Sequence, residues 1–533
     1  MALPSATGSA TRGRLMGARL TGSVRTSLLV WLGVGGAAAT FVGLALIWIF
    51  AVPPFLPADE SAHTDYAMQV THGHLPVAGQ PFHAEFPQQG QRTLRQHVSN
   101  HPPLYYVFAG PVLRIGQAIH RPMVGILATR GLSATFGLIA VVLTAILAGV
   151  VARNASRRAR AQLMIVAAGL VATVPSFVAA AGAIQNDSIT IAFTIATLLL
   201  LGVLVQRGAS VKLVIALALC CTGGMLSRAT FIQVELVVLI TVVLAALWPK
   251  EGPIRPLDKD RVRAAIWQAG TIGIVSFLGA GWFYLLNKHR YGDFVGGSAV
   301  YALVANRSLE PGAESLTSFF LYPRSWWIQI VQLVGGYGEL KITQPPRIVH
   351  LTTVLSVILI AALAATLVAL ARGRRWSDRR GWMLAAGLFV VLAISFLELA
   401  DHATQHGSEN NRYLLDGLAF WGIGVGTGLL LLGFRRLPLI PLVVSAIGVY
   451  GSIHFTLIIA RRQPLLAGRG WFDALATSMD ALGMPAARVI LVLFLALIVA
   501  GLLVQLITLC WLGNRLATES GNTPRHARQE ATA

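Results

Sequence analysis

Long apolar runs recur along this chain between residues 27 and 512, and most of them close on a cluster of Arg or Lys. That feature leaves few folds open. A helix needs about 20 apolar residues to cross a bilayer. Only helices and closed barrels satisfy their backbone hydrogen bonds in lipid, and continuous runs exclude the alternating pattern of a barrel strand. The charged fraction of 12% and mean hydropathy of +0.66 agree, since a soluble domain carries about 25% charged residues. The expected fold is all-α, a polytopic integral membrane protein with about twelve crossings of the length a bilayer demands.

The net charge of +20 would suggest a nucleic-acid partner in a soluble protein. Here it has a simpler source, because cytoplasmic loops are rich in Lys and Arg, and no nucleic acid is expected. The same rule orients the chain. Residues 1–26 form a basic cytoplasmic N-terminus, 27–512 the multi-span domain, and 513–533 a polar cytoplasmic tail. The first apolar run, about 25 residues long, exceeds a signal-peptide core and reads as a retained first crossing in the cell membrane. The main extracytoplasmic loops are 52–121 and 287–349, the first and fourth outside loops. Each is expected to carry a helix lying along the interface, at 104–119 and 319–337. Residues 162–181 read as a third crossing and 351–371 as an eighth. The long run 212–248 divides into two crossings around Arg228. Arg461, Arg462 and Arg469 fall outside against the rule, which implies either a miscounted crossing near the C-terminus or a phosphate-binding surface.

Cys220, Cys221 and Cys510 all lie within apolar runs, so no disulfide framework follows. His72, His74, His83 and His97 lack the spacing of metal ligands, and no metal or other cofactor is expected.

Chemistry concentrates outside. Pro53-Pro54 must end the first crossing, because proline lacks the N–H a helix needs. Asp59 and Glu60 follow at once. If a helix starts at Asp59, His63 lies one turn beyond the acids and Tyr66 one turn further, on one shared face. Adjacent acids often do no more than cap a helix. Here His63, His101, Tyr105 and Tyr106 keep them company in the same loop. Asn186-Asp187 is simplest as a cap for the following helix, a role compatible with a site. Arg228 among apolar residues either faces a cavity or snorkels to the interface. Arg412-Tyr413 is either a phosphate fork or an aromatic-basic anchor. Gly292-Asp293 reads as a turn.

Pro57-Ala-Asp-Glu-Ser-Ala-His63, His101-Pro-Pro-Leu-Tyr-Tyr106, Arg130 near the start of the second crossing, Asn186-Asp187 and Asn411-Arg-Tyr-Leu-Leu415 together resemble the GT-C superfamily of polytopic glycosyltransferases. The likeness is to its protein mannosyltransferase-like and lipid A aminoarabinose transferase-like branch. The first loop is also similar to that of a bacterial membrane family reading Pro-Pro-Asp-Glu-x-x-His. The resemblance implies a sugar donor on a polyprenyl phosphate and a glycan, lipid or protein acceptor outside the cytoplasm. It implies an inverting transfer in which the first-loop acid, Asp59 with Glu60 as fallback, is general base. Arg412, Arg228 and Tyr413 would meet the phosphate, with His63, His101, Tyr105, Tyr106, Asn186 and Asp187 lining the substrate site. A transporter or lipid flippase for envelope precursors is the alternative, and a non-enzymatic envelope scaffold a third.

Overall fold

The computed structural model describes residues 8–57, 59–83, 95–248, 258–305, 309, 312–322, 357, 360, 361, 364, 368, 379–407, 411–434 and 439–521. The helices in chain order are α1 (Gly8–Ala51), α2 (Glu60–Thr71), α3 (Leu104–Ala118), α4 (Pro122–Val151), α5 (Arg157–Ala172), α6 (Pro175–Ala181), α7 (Asp187–Arg207), α8 (Val211–Met225), α9 (Phe231–Leu247), α10 (Lys259–Tyr291), α11 (Gly297–Val304) and α12 (Leu316–Leu321). They continue with α13 (Arg379–Thr404), the span α14 (Arg412–Leu432) entered through a 3-10 turn over Asn411–Gly417, α15 (Leu439–Ala460), α16 (Trp471–Ala481) and α17 (Ala487–Gly521). The described residues hold no β structure beyond an isolated bridge between Pro81 and Arg95. The protein is all-helical and polytopic.

Eight helices among the described residues are long and apolar enough to cross a membrane, and a ninth crossing results if α5 and α6 count together. Among the described residues the count is thus eight or nine, against the twelve expected for the whole chain. Three differences account for it. Residues 162–181 are not one straight helix: α5 and α6 meet at a 69° bend, where Pro175 begins α6 and interrupts the backbone ladder. Helices α8 and α9 are 15 and 17 residues long, below the span length, although they flank Arg228 as the sequence suggests. Most of the expected crossing at 351–371 lies outside the described residues, as do Trp326, Trp327 and Tyr337.

α1 is the central post. Its Gly36 and Gly501 of α17 approach so closely that a Cβ on either would stand within 2.6 Å of the other's carbonyl oxygen. Small residues permit such backbone contact between membrane helices. Gln505 donates across the same interface to Thr40 Oγ1 at 3.3 Å.

The helix ends sort into two layers. At one, Gln206 Nε2 donates to the Val150 carbonyl at 2.6 Å, beside Arg153, Arg157, Arg158, Arg160 and Arg207. At the other, Ser478 Oγ donates to the Ala51 carbonyl at 2.7 Å, and the Leu104 amide to the Leu226 carbonyl at 2.9 Å. Asp59 belongs to this second layer, and so do Arg461, Arg462 and Arg469. Between α15 and α17 the chain forms only a short 3-10 turn and the 11-residue α16, so those arginines do not conceal another crossing.

The loop 52–121 supplies α2 and α3. Tyr105, Tyr106, Ala109 and Leu113 of α3 point inward, while Val107, Phe108 and Ile115 are exposed. That one-sided pattern, on a helix too short to span, suits the interface. Gly292 takes φ 82°, and Asp293 accepts from the amides of Val295, Gly297 and Ser298, which confirms the turn. The hydrogen bonds hold the Asp293 carboxyl below its usual range against the opposing effect of partial burial.

Candidate active site

α1 stops at Ala51, ahead of the two prolines. The chain then reverses through Phe55 and Asp59, both at φ 66°. Aspartate tolerates this left-handed region better than most side chains. The reversal separates the two acids. Asp59 precedes α2 and makes no side-chain cap, so capping does not account for it. Glu60, the first residue of α2, points the opposite way, into the protein. The single face of two acids, imidazole and phenol expected from the spacing therefore does not form.

Glu60 is fully buried against Arg130 of α4. Arg130 Nε–H donates to Oε1 and Nη2–H to Oε2, both at 2.7 Å. The Phe55 amide adds a bond to Oε2 at 2.8 Å and the Ile184 amide one to Oε1 at 3.0 Å. Arg130 spends its remaining donors on the carbonyls of Ile49, Val52 and Pro53. This forked pair ties the end of α1, the start of α2, α4 and the α6–α7 turn into one block. Glu60 has no oxygen left for a substrate proton, and the reading of it as a fallback base gives way to this one.

Asp59 faces outward, with 24% of its side chain exposed. Arg412 Nη2–H donates to Oδ2 at 2.6 Å, and His97 Nε2 lies 3.0 Å from Oδ1. His97 Nδ1 also lies 2.9 Å from the Arg95 carbonyl. Both ring nitrogens thus face acceptors, an arrangement satisfied by the doubly protonated imidazolium. Burial pushes the Asp59 carboxyl up, but Arg412 and His97 outweigh it and hold the pKa well below the carboxylate range.

Arg412 is followed by Tyr413, whose ring lies 5.4 Å from the guanidinium carbons of both Arg412 and Arg228, within cation–π range. Arg228 sits in the turn between α8 and α9, is 7% exposed, and pairs with Asp187 at the start of α7. It does not snorkel. Asn186 does not cap α7 with its side chain; it reaches across to donate to the Ser227 carbonyl at 2.7 Å. The structure thus brings Asp59, Arg412, Tyr413, Arg228, Asp187 and Asn186 into one connected group. Arginines 353 and 169 residues from Asp59 in sequence (positions 412 and 228) meet it here.

Behind Asp59 stands an aromatic wall. His63 Nδ1 and Tyr106 Oη are 2.7 Å apart, and the rings of Tyr66 and Tyr106 stack at 3.7 Å. Tyr66 donates to the His101 carbonyl at 2.8 Å, and His101 stacks on His63. Burial lowers the His63 pKa to about 3, with Asp59 opposing and Arg412 adding to the fall. Burial also holds His101 well below the usual imidazole range and raises the Tyr106 phenol. Both histidines of the wall are neutral, and His101 Nδ1 is buried with no hydrogen-bond partner among the described residues. Tyr105 turns away to Ser133 at 2.7 Å and serves packing rather than the mouth.

Sequence reasoning missed three participants. In the sequence His97 is one of several scattered histidines; its position depends on Gln96, which anchors the returning loop to the Ala62 carbonyl and to Asp65. His402 Nε2 lies 2.9 Å from Tyr413 Oη. Asp416, one turn beyond Arg412, accepts from Thr230 at 2.8 Å. Only the last had a signal, an acid inside an apolar run. Among the described residues no group of three His, Cys, Asp or Glu side chains is arranged to hold a metal ion.

No family model and no curated protein sequence matches the chain. Among solved structures it is similar to the oligosaccharyltransferase AglB from Archaeoglobus fulgidus in complex with an inhibitory peptide and a dolichol-phosphate. There the TM-score is 0.42 at 14% identity, over 83% of this chain and 57% of that one, so the chain spans little more than half of that protein. It is also similar to ArnT from Cupriavidus metallidurans, at TM-score 0.44 and 15% identity with undecaprenyl phosphate bound and 0.45 and 16% in the apo state, over 89% of this chain and 76% of that one.

Proposed function

We propose that this protein is a membrane glycosyltransferase that moves a sugar from a polyprenyl-phosphate donor to an extracytoplasmic acceptor with inversion. The observation that carries the reading is Asp59, part-exposed at the end of the first crossing helix, held between Arg412 and His97 with Arg228 across the Tyr413 ring. In this scheme the acceptor hydroxyl attacks the anomeric carbon, and its proton passes to Asp59. The bond from that carbon to the phosphate oxygen breaks, and polyprenyl phosphate leaves. Arg412 and Arg228 meet the charge that grows on the phosphate. Arg412 has a double part. While it grips Asp59, the carboxylate is a weak base; a donor phosphate that draws the guanidinium away raises the basicity of Asp59 as the complex forms. His63, His101, Tyr106 and Tyr413 form the wall against which the sugar and acceptor sit. Asp187 and Asn186 hold Arg228 and its turn. Glu60, through Arg130, keeps the reversal that aims Asp59 outward. No metal or other cofactor enters the scheme. The N- and C-termini are assigned to the cytoplasm by loop charge.

The test is transfer of labelled sugar by purified protein in proteoliposomes. Asp59→Asn is expected to abolish it while insertion and melting temperature hold. Full transfer by that variant removes Asp59 as base.

One observation favours a second reading, a flippase: the 69° break between α5 and α6, since broken helices line many transport sites. Translocation of a fluorescent polyprenyl phosphate without any covalent product would decide for it.

A further inference from the structure

Directly behind Arg228 lies a polar seam that the transfer scheme leaves unused. It is built by the first turns of α9, the last turns of α13 and the 3-10 turn that opens α14. Gln233 of α9 donates from Nε2 to Glu398 Oε2 of α13 at 2.8 Å, and Thr230 donates to Asp416 Oδ2 at 2.8 Å. Each carboxylate therefore has one oxygen engaged among the described residues. Gln233 is only 6% exposed, and its Oε1 has no hydrogen-bond partner among the described residues. The Nε of Arg228 is likewise buried and has no hydrogen-bond partner among the described residues.

A purely structural seam would not be built this way. A buried amide oxygen without a partner costs about 1–3 kcal/mol, and an acid on an apolar membrane helix is costly wherever it serves only packing. The buried groups without a partner are of mixed kind, an acceptor on Gln233 and a donor on Arg228. A small ring carrying several hydroxyls satisfies both kinds at once, because each hydroxyl donates and accepts. Position agrees with chemistry. Asp416 is four residues from Arg412, and Thr230 two from Arg228, the two arginines assigned to the donor phosphate.

We propose that the seam of Thr230, Gln233, Glu398 and Asp416 is the subsite for the hydroxyl-bearing sugar ring of the donor, reading its hydroxyls while Arg228 and Arg412 hold the phosphate. This rests on the transferase reading, and the experiment separates the two. Purified full-length protein in nanodiscs is titrated with undecaprenyl phosphate and with its phosphoglucose, phosphomannose, phosphogalactose and phosphoarabinose derivatives. The wild type is expected to prefer at least one glycosylated lipid over the bare one by about ten-fold, the worth of one hydrogen bond to a charged group. Glu398→Gln and Asp416→Asn, which keep shape and replace an acid by an amide, are expected to erase that preference and leave affinity for bare undecaprenyl phosphate unchanged. Unchanged bare-lipid affinity also certifies that the variants fold. A preference that persists in both variants overturns the subsite and leaves the transferase reading intact. No preference in the wild type for any of the four sugars overturns the subsite, while the transferase reading stands or falls on sugar transfer in proteoliposomes. Equal loss for bare and glycosylated lipid in the variants shows the seam to be structural and sinks the proposal.

Discussion

Two neighbouring acids end in opposite regions of the molecule, and the contrast shows what each region is for. Beneath α2, Glu60 and Arg130 form a closed pair, both side chains fully buried, every carboxylate oxygen doubly engaged. At the start of α2, Asp59 and Arg412 form an open pair, their side chains 24% and 18% exposed, with one carboxylate oxygen held by the Arg412 guanidinium and the other by the His97 ring. The charges are alike; access and the number of bonds differ. A pair without spare oxygens and without an opening can fix backbone and nothing else. A pair joined by one bond at a mouth can be parted by an incoming phosphate. The left-handed turn at Asp59 creates the difference, because it sends consecutive side chains to opposite sides of the chain.

The comparison is broken most directly at Asp59. Removing a general base lowers the rate by about 10²–10⁴, so Asp59→Asn is expected to reduce sugar transfer by that factor with melting temperature within a degree or two of wild type. The mirror experiment is Glu60→Gln. Breaking a buried pair from one side costs about 3–5 kcal/mol, because Arg130 is left charged and uncompensated. The expected result is a sharp fall in melting temperature and in the amount of folded protein recovered, with surviving molecules still active. Should Glu60→Gln fold normally and lose transfer, the division of labour drawn here is wrong.

The sequence disclosed the helices and most of their ends, because hydropathy and proline act locally. Pro53-Pro54 stops α1 at Ala51, and Arg228 does mark the turn between α8 and α9. The break at Pro175 escaped because a single proline barely alters the hydropathy of residues 162–181. The candidate site was legible as a list of residues but not as a set of roles. Asp59 and Glu60 look equivalent in sequence, and only the positive φ at Asp59 tells them apart. Asn186 reads as a cap because caps are common, yet its amide bonds Ser227, 41 residues away. His97 reads as one histidine of several, since nothing local reveals that Gln96 and Asp65 carry it back to Asp59.

A change at Arg412 sharpens the contrast from the other side. Arg412 is the largest cause lowering the Asp59 pKa, and burial pulls the other way. In Arg412→Gln the carboxyl therefore titrates at higher pH. Transfer needs the carboxylate, so the acid limb of the pH–rate profile is expected to move upward. The folded-state pKa of Asp59 lies below its unfolded value of about 3.9, so the pair's stabilisation is present above that pH and lost as pH falls further. Arg412→Gln forfeits that stabilisation at pH 7, so its melting temperature there is expected to fall below that of the wild type, and the gap is expected to narrow as pH drops below about 3.9. An acid limb that does not move would mean that Asp59 is not the titrating base.

The smallest expected effect concerns the aromatic wall behind Asp59. His63 titrates at about 3 in the folded protein because burial disfavours its charged form, against about 6.5 in an unfolded chain. Between those values the unfolded state binds a proton that the folded state refuses. Stability is therefore complete above about pH 6.5 and declines as pH falls toward 3, at no more than about 1.4 kcal/mol per pH unit for one proton. His63→Gln removes that proton, and the melting temperature is expected to fall less steeply between pH 6.5 and pH 4 than in the wild type. A slope remains, because His101 is depressed in the same direction; the double change His63→Gln with His101→Gln is expected to flatten it further. If the single variant melts with the wild-type pH slope, His63 is already charged in the folded state. In that event the mouth would hold one more cation than described, and the claim that Arg412 and His97 together outweigh burial at Asp59 would have to include His63⁺ as well.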